Sequence, residues 1–148
     1  MTDVLDRDVR LFVYDCFLER GEPPTVGQVA EGLGCSVREA ETSFRRLEAG
    51  RVFVFAPGTL NIWMANPLSA YPTSFWVETR RGGFWGSCIW DAFGIVAMLG
   101  GDGAVSTFCP DCCGPMELRV EGGALQPADS VAHFAVPARR WWENIGYT

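Results

Sequence analysis

Asn66-Pro67-Leu68-Ser69-Ala70-Tyr71-Pro72-Thr73 is the stretch on which the organisation of this sequence turns. Proline fixes φ and carries no amide hydrogen, so two prolines this close interrupt both helix and sheet and read as a connection. Two lobes are expected on either side of it, residues 1–67 and 68–148.

Working back toward the N-terminus, Leu60–Met64 and Arg51–Phe55 are β-rich runs around a Pro57-Gly58 turn, a hairpin by length and composition. Before them, Ser36 with Glu39 has capping-box spacing at the start of a helix over Val37–Ala49, which Gly50 ends. Thr25 caps a shorter helix over Val26–Gly32. From Asp6 to Glu19, apolar Val9, Phe12, Val13, Cys16 and Phe17 recur at helical spacing and stop before Pro23-Pro24. Three helices and a hairpin predict a winged-helix-like lobe, which raises DNA binding through Arg38, Arg45 and Arg46 of the third helix. Glu39, Glu41 and Glu48 nearly cancel that charge, so the lobe is expected to be structural, substrate-covering or dimerising.

Beyond the connection, strands are expected over Phe75–Thr79, Val105–Phe108, Met116–Val120 and Val131–Val136, with a helix over Ser87–Leu99. The fold class is α+β, the second lobe holding a short mixed sheet.

Composition narrows the function. With 148 residues and 48% hydrophobic content the chain can bury a core without disulfides. A net charge of −6 argues against nucleic acid as partner, and the complete absence of Lys assigns no role to the Arg residues. No run approaches the ~18 apolar residues of a membrane span and the start is acidic, so a soluble cytoplasmic protein is expected. The six cysteines are unevenly placed and read as reduced thiols, Cys16 and Cys35 as core residues. The other four lie close together, where chemistry is to be sought.

Gly82-Gly83-Phe84-Trp85-Gly86-Ser87 leads into Cys88 and Asp91. With Ser87 as N-cap, Cys88 falls in the first helical turn and Asp91 on the same face one turn later. Free N–H groups and the helix dipole there favour a thiolate, so a lowered Cys88 pKa is expected. A carboxyl beside a thiolate is driven toward its protonated form, and Trp85, Trp90 and Phe93 push the same way, which suits Asp91 to general-acid work. By spacing alone, a small buried residue and an ordinary first-turn charge remain the alternative. Downstream, Phe108-Cys109-Pro110-Asp111-Cys112-Cys113-Gly114-Pro115 sets three thiols on a tight knuckle, the form of half a zinc ribbon. Zinc would need Cys88 or His133 to complete four ligands. A redox or soft-metal role for one of these thiols, and plain cysteine, are the other readings.

The helical first lobe, Pro67–Thr73, Cys88 with Asp91, Cys109 with Gly114-Pro115, the strand Met116–Val120 and His133-Phe134 together resemble the alkylmercury lyase (organomercurial lyase) family over most of the chain. The resemblance implies that thiolates capture the mercury of a small organomercurial and an aspartic acid protonates the departing carbon. Hg(II) is left on sulfur for cellular thiols to remove, and no resident cofactor is required. By position Cys88 is then the mercury-binding thiolate, Asp91 the proton donor and Cys109 mainly structural. One departure stands out. The family has a second mercury-binding cysteine shortly before the stretch matched by His133-Phe134, where this chain has Asp129, Ser130 and Val131. Either Cys112 or Cys113 replaces it, making Cys88, Cys109, Cys112 and Cys113 the candidate soft-metal set, or the scaffold does other work. That other work would be carrying Hg(II), Cu(I) or Zn(II), or acting on a different substrate. His133 is expected as a hydrogen-bonded residue of an apolar strand, and Trp141-Trp142 as packing anchors with pocket closure the second reading. Nothing in the sequence fixes the oligomeric state.

Overall fold

A computed structural model describes residues 4–146, so the outermost residues of both expected lobes lie outside the described residues. The first part is three helices, α1 (Val4–Arg20), α2 (Val26–Leu33) and α3 (Val37–Ala49). Thr25 and Ser36 each accept the amide of the third helical residue while Gln28 and Glu39 reach back to the cap. Such boxes satisfy amides that have no partner within the helix, each worth about 0.5–2 kcal/mol. The helices close on Val9, Val13, Phe17, Val29 and Phe44, and the Phe44 ring meets Phe53 and Phe55 at 5.6 and 5.7 Å between centroids. Asp6, only 4% exposed, accepts from Ser43 Oγ at 2.6 Å and pairs with Arg46 at 2.8 Å. Arg45 pairs with Glu48 at 3.2 Å, so two of the three arginines that suggested DNA contact are held by acids of their own lobe.

The hairpin is β1 (Phe53–Phe55) and β2 (Ile62–Ala65). The expected connection holds a short strand, β3 (Leu68–Ser69), which pairs with β2 on one side and with β5 (Gly82–Gly86) on the other. With β4 (Trp76–Thr79), β6 (Gly103–Phe108), β7 (Pro115–Glu121) and β8 (Ala124–Gln126), one eight-stranded sheet runs in the order β1-β2-β3-β5-β4-β6-β7-β8. Every pair is antiparallel, not mixed as expected. The reason lies in α4 (Ile89–Met98), which carries the chain from β5 across β4 to β6. The two strands it joins run the same way but are separated by β4, so no parallel neighbours arise.

Helix α4 lies on the sheet through Ala92, Ile95 and Val96, all buried. Glycines make room for it: a Cβ on Gly86 would stand 2.8 Å from the Ala92 backbone nitrogen, and one on Gly103 would stand 3.1 Å from the Val96 side chain. The expected strand over Val131–Val136 is irregular backbone. The ladder stops at Gln126 before Pro127, and of the apolar side chains that follow Val131 is exposed while Phe134 meets the Trp141 ring at 5.1 Å. A 3₁₀ turn (Ala138–Glu143) closes the described chain. Among the described residues no helix is long and apolar enough to cross a membrane.

Candidate active site

Cys88, not Ser87, is the N-cap of α4: its backbone is extended (φ −148°, ψ −179°) and Ala92 N–H returns to its carbonyl at 2.9 Å. Asp91 is then the third helical residue, and the pair occupies the two positions that Ser36 and Glu39 hold in α3. Sulfur is larger and a weaker acceptor than a hydroxyl and makes no capping bond; instead the Cys88 thiol faces the carboxylate, with Sγ to Asp91 Oδ2 at 3.5 Å.

The local electrostatics reverse the expected sign for the thiol. Burial pushes the Cys88 pKa up to about 11; the Asp91 and Trp90 amides favour the thiolate but are outweighed, and the Asp91 carboxylate raises the value further. Burial also raises the Asp91 pKa, against the lowering effect of hydrogen bonds from Cys88. At neutral pH the Cys88 sulfur therefore keeps its proton. Ser87 Oγ is buried beside the pair with no hydrogen-bond partner among the described residues.

Both groups open on a cavity of about 460 Å³ assembled from three distant parts of the chain: Arg51, Met64 and Asn66; Ser87, Cys88, Trp90 and Asp91; and Phe134, Trp141, Trp142, Ile145 and Gly146. The apolar surroundings thus come from Trp90 and from the C-terminal aromatics. Trp85 meets Trp76 at 4.6 Å between centroids with the rings tilted by 59°, and Phe93 lines a separate hollow with Phe75, Met116 and His133. His133 itself is exposed, not a core strand residue. Trp141 and Trp142 close the pocket as well as pack: Trp141 Nε1 donates to the Val136 carbonyl at 2.7 Å, and Trp142 lies under the Arg51 guanidinium at 5.1 Å.

The knuckle is as tight as its sequence suggests, with Cys109 N–H to Gly114 O and Cys113 N–H to Cys109 O both at 2.8 Å. The Cys112 and Asp111 amides hold the Cys109 thiol below its ordinary pKa. Cys112 and Cys113 are exposed, and none of the three knuckle thiols lines the cavity that holds Cys88. Among the described residues no three His, Cys, Asp or Glu side chains converge to hold a metal ion.

Sequence reasoning missed Arg51, Met64 and Asn66. Arg51 N–H bonds Glu48 O at 2.9 Å and Val52 N–H bonds Leu47 O at 2.8 Å, the paired bonds of a Schellman motif, and Arg51 takes the left-handed position (φ 61°) that such motifs reserve for glycine. Gly50 stands one residue early, at φ −78°, where its freedom is unused.

Fold and site together define an α+β protein with a thiol–carboxyl pair at a helix start, roofed by aromatics. The sequence model of the family described as "MerB: Alkylmercury lyase" matches residues 68–148, and the chain belongs to the alkylmercury lyase family. A solved structure titled "Crystal structure of the mercury-bound form of MerB2" is similar to it, with a TM-score of 0.63 and 17% identity over 82% of this chain and 57% of that one. The fold is shared, and this chain spans little more than half the length of that protein. No curated protein matches the sequence.

Proposed function

We propose that this protein cleaves the carbon–mercury bond of a small organomercurial, with Cys88 as the mercury-capturing sulfur and Asp91 as the proton donor. The observation that carries this reading is the 3.5 Å approach of Sγ to Oδ2 inside a cavity with aromatic walls. A thiol with a pKa near 11 keeps its proton at neutral pH, so capture of a soft Lewis acid must displace it. Asp91 stands where that proton goes, and its raised pKa suits it to hold the proton and pass it on.

The steps balance. R–Hg–X meets Cys88–SH and Asp91–COO⁻; the S–Hg bond forms, X⁻ leaves and the proton moves to Asp91. Asp91–COOH then protonates the carbon as the C–Hg bond breaks, giving R–H, Asp91–COO⁻ and Hg(II) on Cys88. Because Cys109, Cys112 and Cys113 stand apart from the cavity, the second sulfur comes from a small thiol of a reducing cytoplasm, which also removes the ion. Incubation with an organomercurial and excess thiol is expected to release the hydrocarbon. Cys88→Ser abolishes release, and Asp91→Asn lowers it by roughly 10²–10⁴-fold while still taking up mercury. Absence of hydrocarbon from the wild-type protein, or an Asp91→Asn variant at full rate, overturns the proposal.

A further inference from the structure

We infer that Arg51 is a specificity-determining residue that receives a carboxylate on the molecule occupying the cavity. Three independent observations meet at it. Its backbone holds a left-handed conformation where glycine is the easy choice, so the side chain is retained against a local conformational penalty. Its guanidinium lies over the Trp142 ring at 5.1 Å, and Trp142 is a wall of the same cavity as Cys88 and Asp91. No carboxylate among the described residues lies within ion-pair distance of it, whereas Arg46, on the preceding helix, is bound to Asp6. The position is also braced: Asn66 Nδ2 donates to the Arg51 carbonyl at 3.5 Å, and the Asn66 carbonyl accepts from Tyr14 Oη at 2.5 Å.

A planar, permanently charged fork recognises carboxylates in two-pronged fashion, and its place over an aromatic ring limits where it can point. Met64, Trp141 and Trp142, which line the cavity together with Arg51 and the Cys88–Asp91 pair, suit an aromatic body. The ligand is thus an arylmercurial bearing a carboxylate, or an aryl body joined to mercury through a carboxylated thiol. The inference rests on the carbon–mercury reading only for the reacting end of the molecule.

The test compares 4-hydroxymercuribenzoate with phenylmercury hydroxide, each with 2-mercaptoethanol and with 3-mercaptopropionate, on wild type, Arg51→Gln and Arg51→Gly. Wild type is expected to favour the carboxylated partner by about tenfold in kcat/KM, through KM, and both variants to bring the ratio near one. Whichever partner shows the Arg51-dependent preference identifies the source of the carboxylate. Arg51→Gly is further expected to melt higher than wild type, since it relieves the left-handed strain, so loss of preference cannot be put down to misfolding. A mercury-free arm titrates tryptophan fluorescence with benzoate and benzamide, and benzoate should bind more tightly only when Arg51 is present. If no hydrocarbon forms but this preference holds, the proposed reaction fails and the role of Arg51 stands. If hydrocarbon forms and neither assay shows an Arg51-dependent preference, the inference is overturned and the reaction stands.

Discussion

The chemistry at Cys88 and Asp91 depends on a competition between burial and amide dipoles, and burial is the stronger. Asp91→Asn removes a charge and a hydrogen bond that both raise the Cys88 pKa, but leaves the burial and the amides. The inflection in alkylation of Cys88, followed by mass spectrometry of its peptide, should therefore fall below about 11 in Asp91→Asn. An unchanged or higher inflection would show that the carboxylate does not face the sulfur. Stability carries the matching sign. Folding raises the Asp91 pKa, so ionised Asp91 costs stability above its unfolded pKa, and Asp91→Asn should melt higher at pH 7 with the advantage vanishing as pH falls below about 4. At this scale the sequence placed Cys88 and Asp91 on one face of a helix start, because a three-residue spacing is legible, and the two side chains do meet at 3.5 Å. It misjudged the sign of the thiol shift because desolvation depends on which distant side chains cover the site. Arg51 was hidden for a related reason: a left-handed arginine looks like any other arginine after a glycine.

Three helices of this chain begin with the same spacing, Thr25 with Gln28, Ser36 with Glu39 and Cys88 with Asp91. The first two are structural caps, and in the third a thiol stands where the hydroxyl would, facing the carboxylate instead of capping the helix. That helices were easier to read than strands follows from the patterns themselves, since apolar periodicity and capping residues are local. Strand β5 escaped because Gly82, Gly83 and Gly86 weaken any strand signal, yet they are what allows the strand to be covered. Gly83 lies under Trp76, a side chain that can shift, whereas Gly86 faces the α4 backbone, which cannot. Gly86→Ala should accordingly destabilise by about 1–3 kcal/mol, read as a lower Tm, and tilt the start of α4 enough to weaken the Cys88–Asp91 approach. A Gly86→Ala protein with wild-type Tm would mean that α4 is not seated as tightly as this. The apparent strand over Val131–Val136 erred the other way: alternating apolar residues there sit on irregular backbone, not a ladder.

Across the whole molecule, core and cavity are built from different parts of the chain. Among the described residues none beyond Leu118 is buried, yet Phe134, Trp141, Trp142, Ile145 and Gly146 form one whole side of the cavity. This C-terminal wall is laid over the hairpin: Trp142 lies beneath Arg51, and a Cβ on Gly146 would come within 3.2 Å of the Trp63 ring. It therefore contributes little to the buried core while lining the cavity that holds Cys88 and Asp91. A chain ending at Val136 should keep its secondary structure and most of its Tm, because the helices and the eight-stranded sheet are left intact. Its cavity, open to water, should no longer hold the thiol so far above normal. The Cys88 alkylation inflection should fall from about 11 toward the ordinary 9.0, and alkylation at pH 7 should quicken, as more sulfur ionises and access improves. Hydrocarbon release should fall at the same time, because an Asp91 surrounded by water gives up its proton to solvent instead of holding it for carbon. Alkylation and turnover thus move in opposite directions if the wall acts by excluding water. A truncated chain that loses its circular dichroism signal would assign the wall to the core instead, and one that keeps both the inflection and the turnover would show that α4 and the sheet desolvate the site unaided.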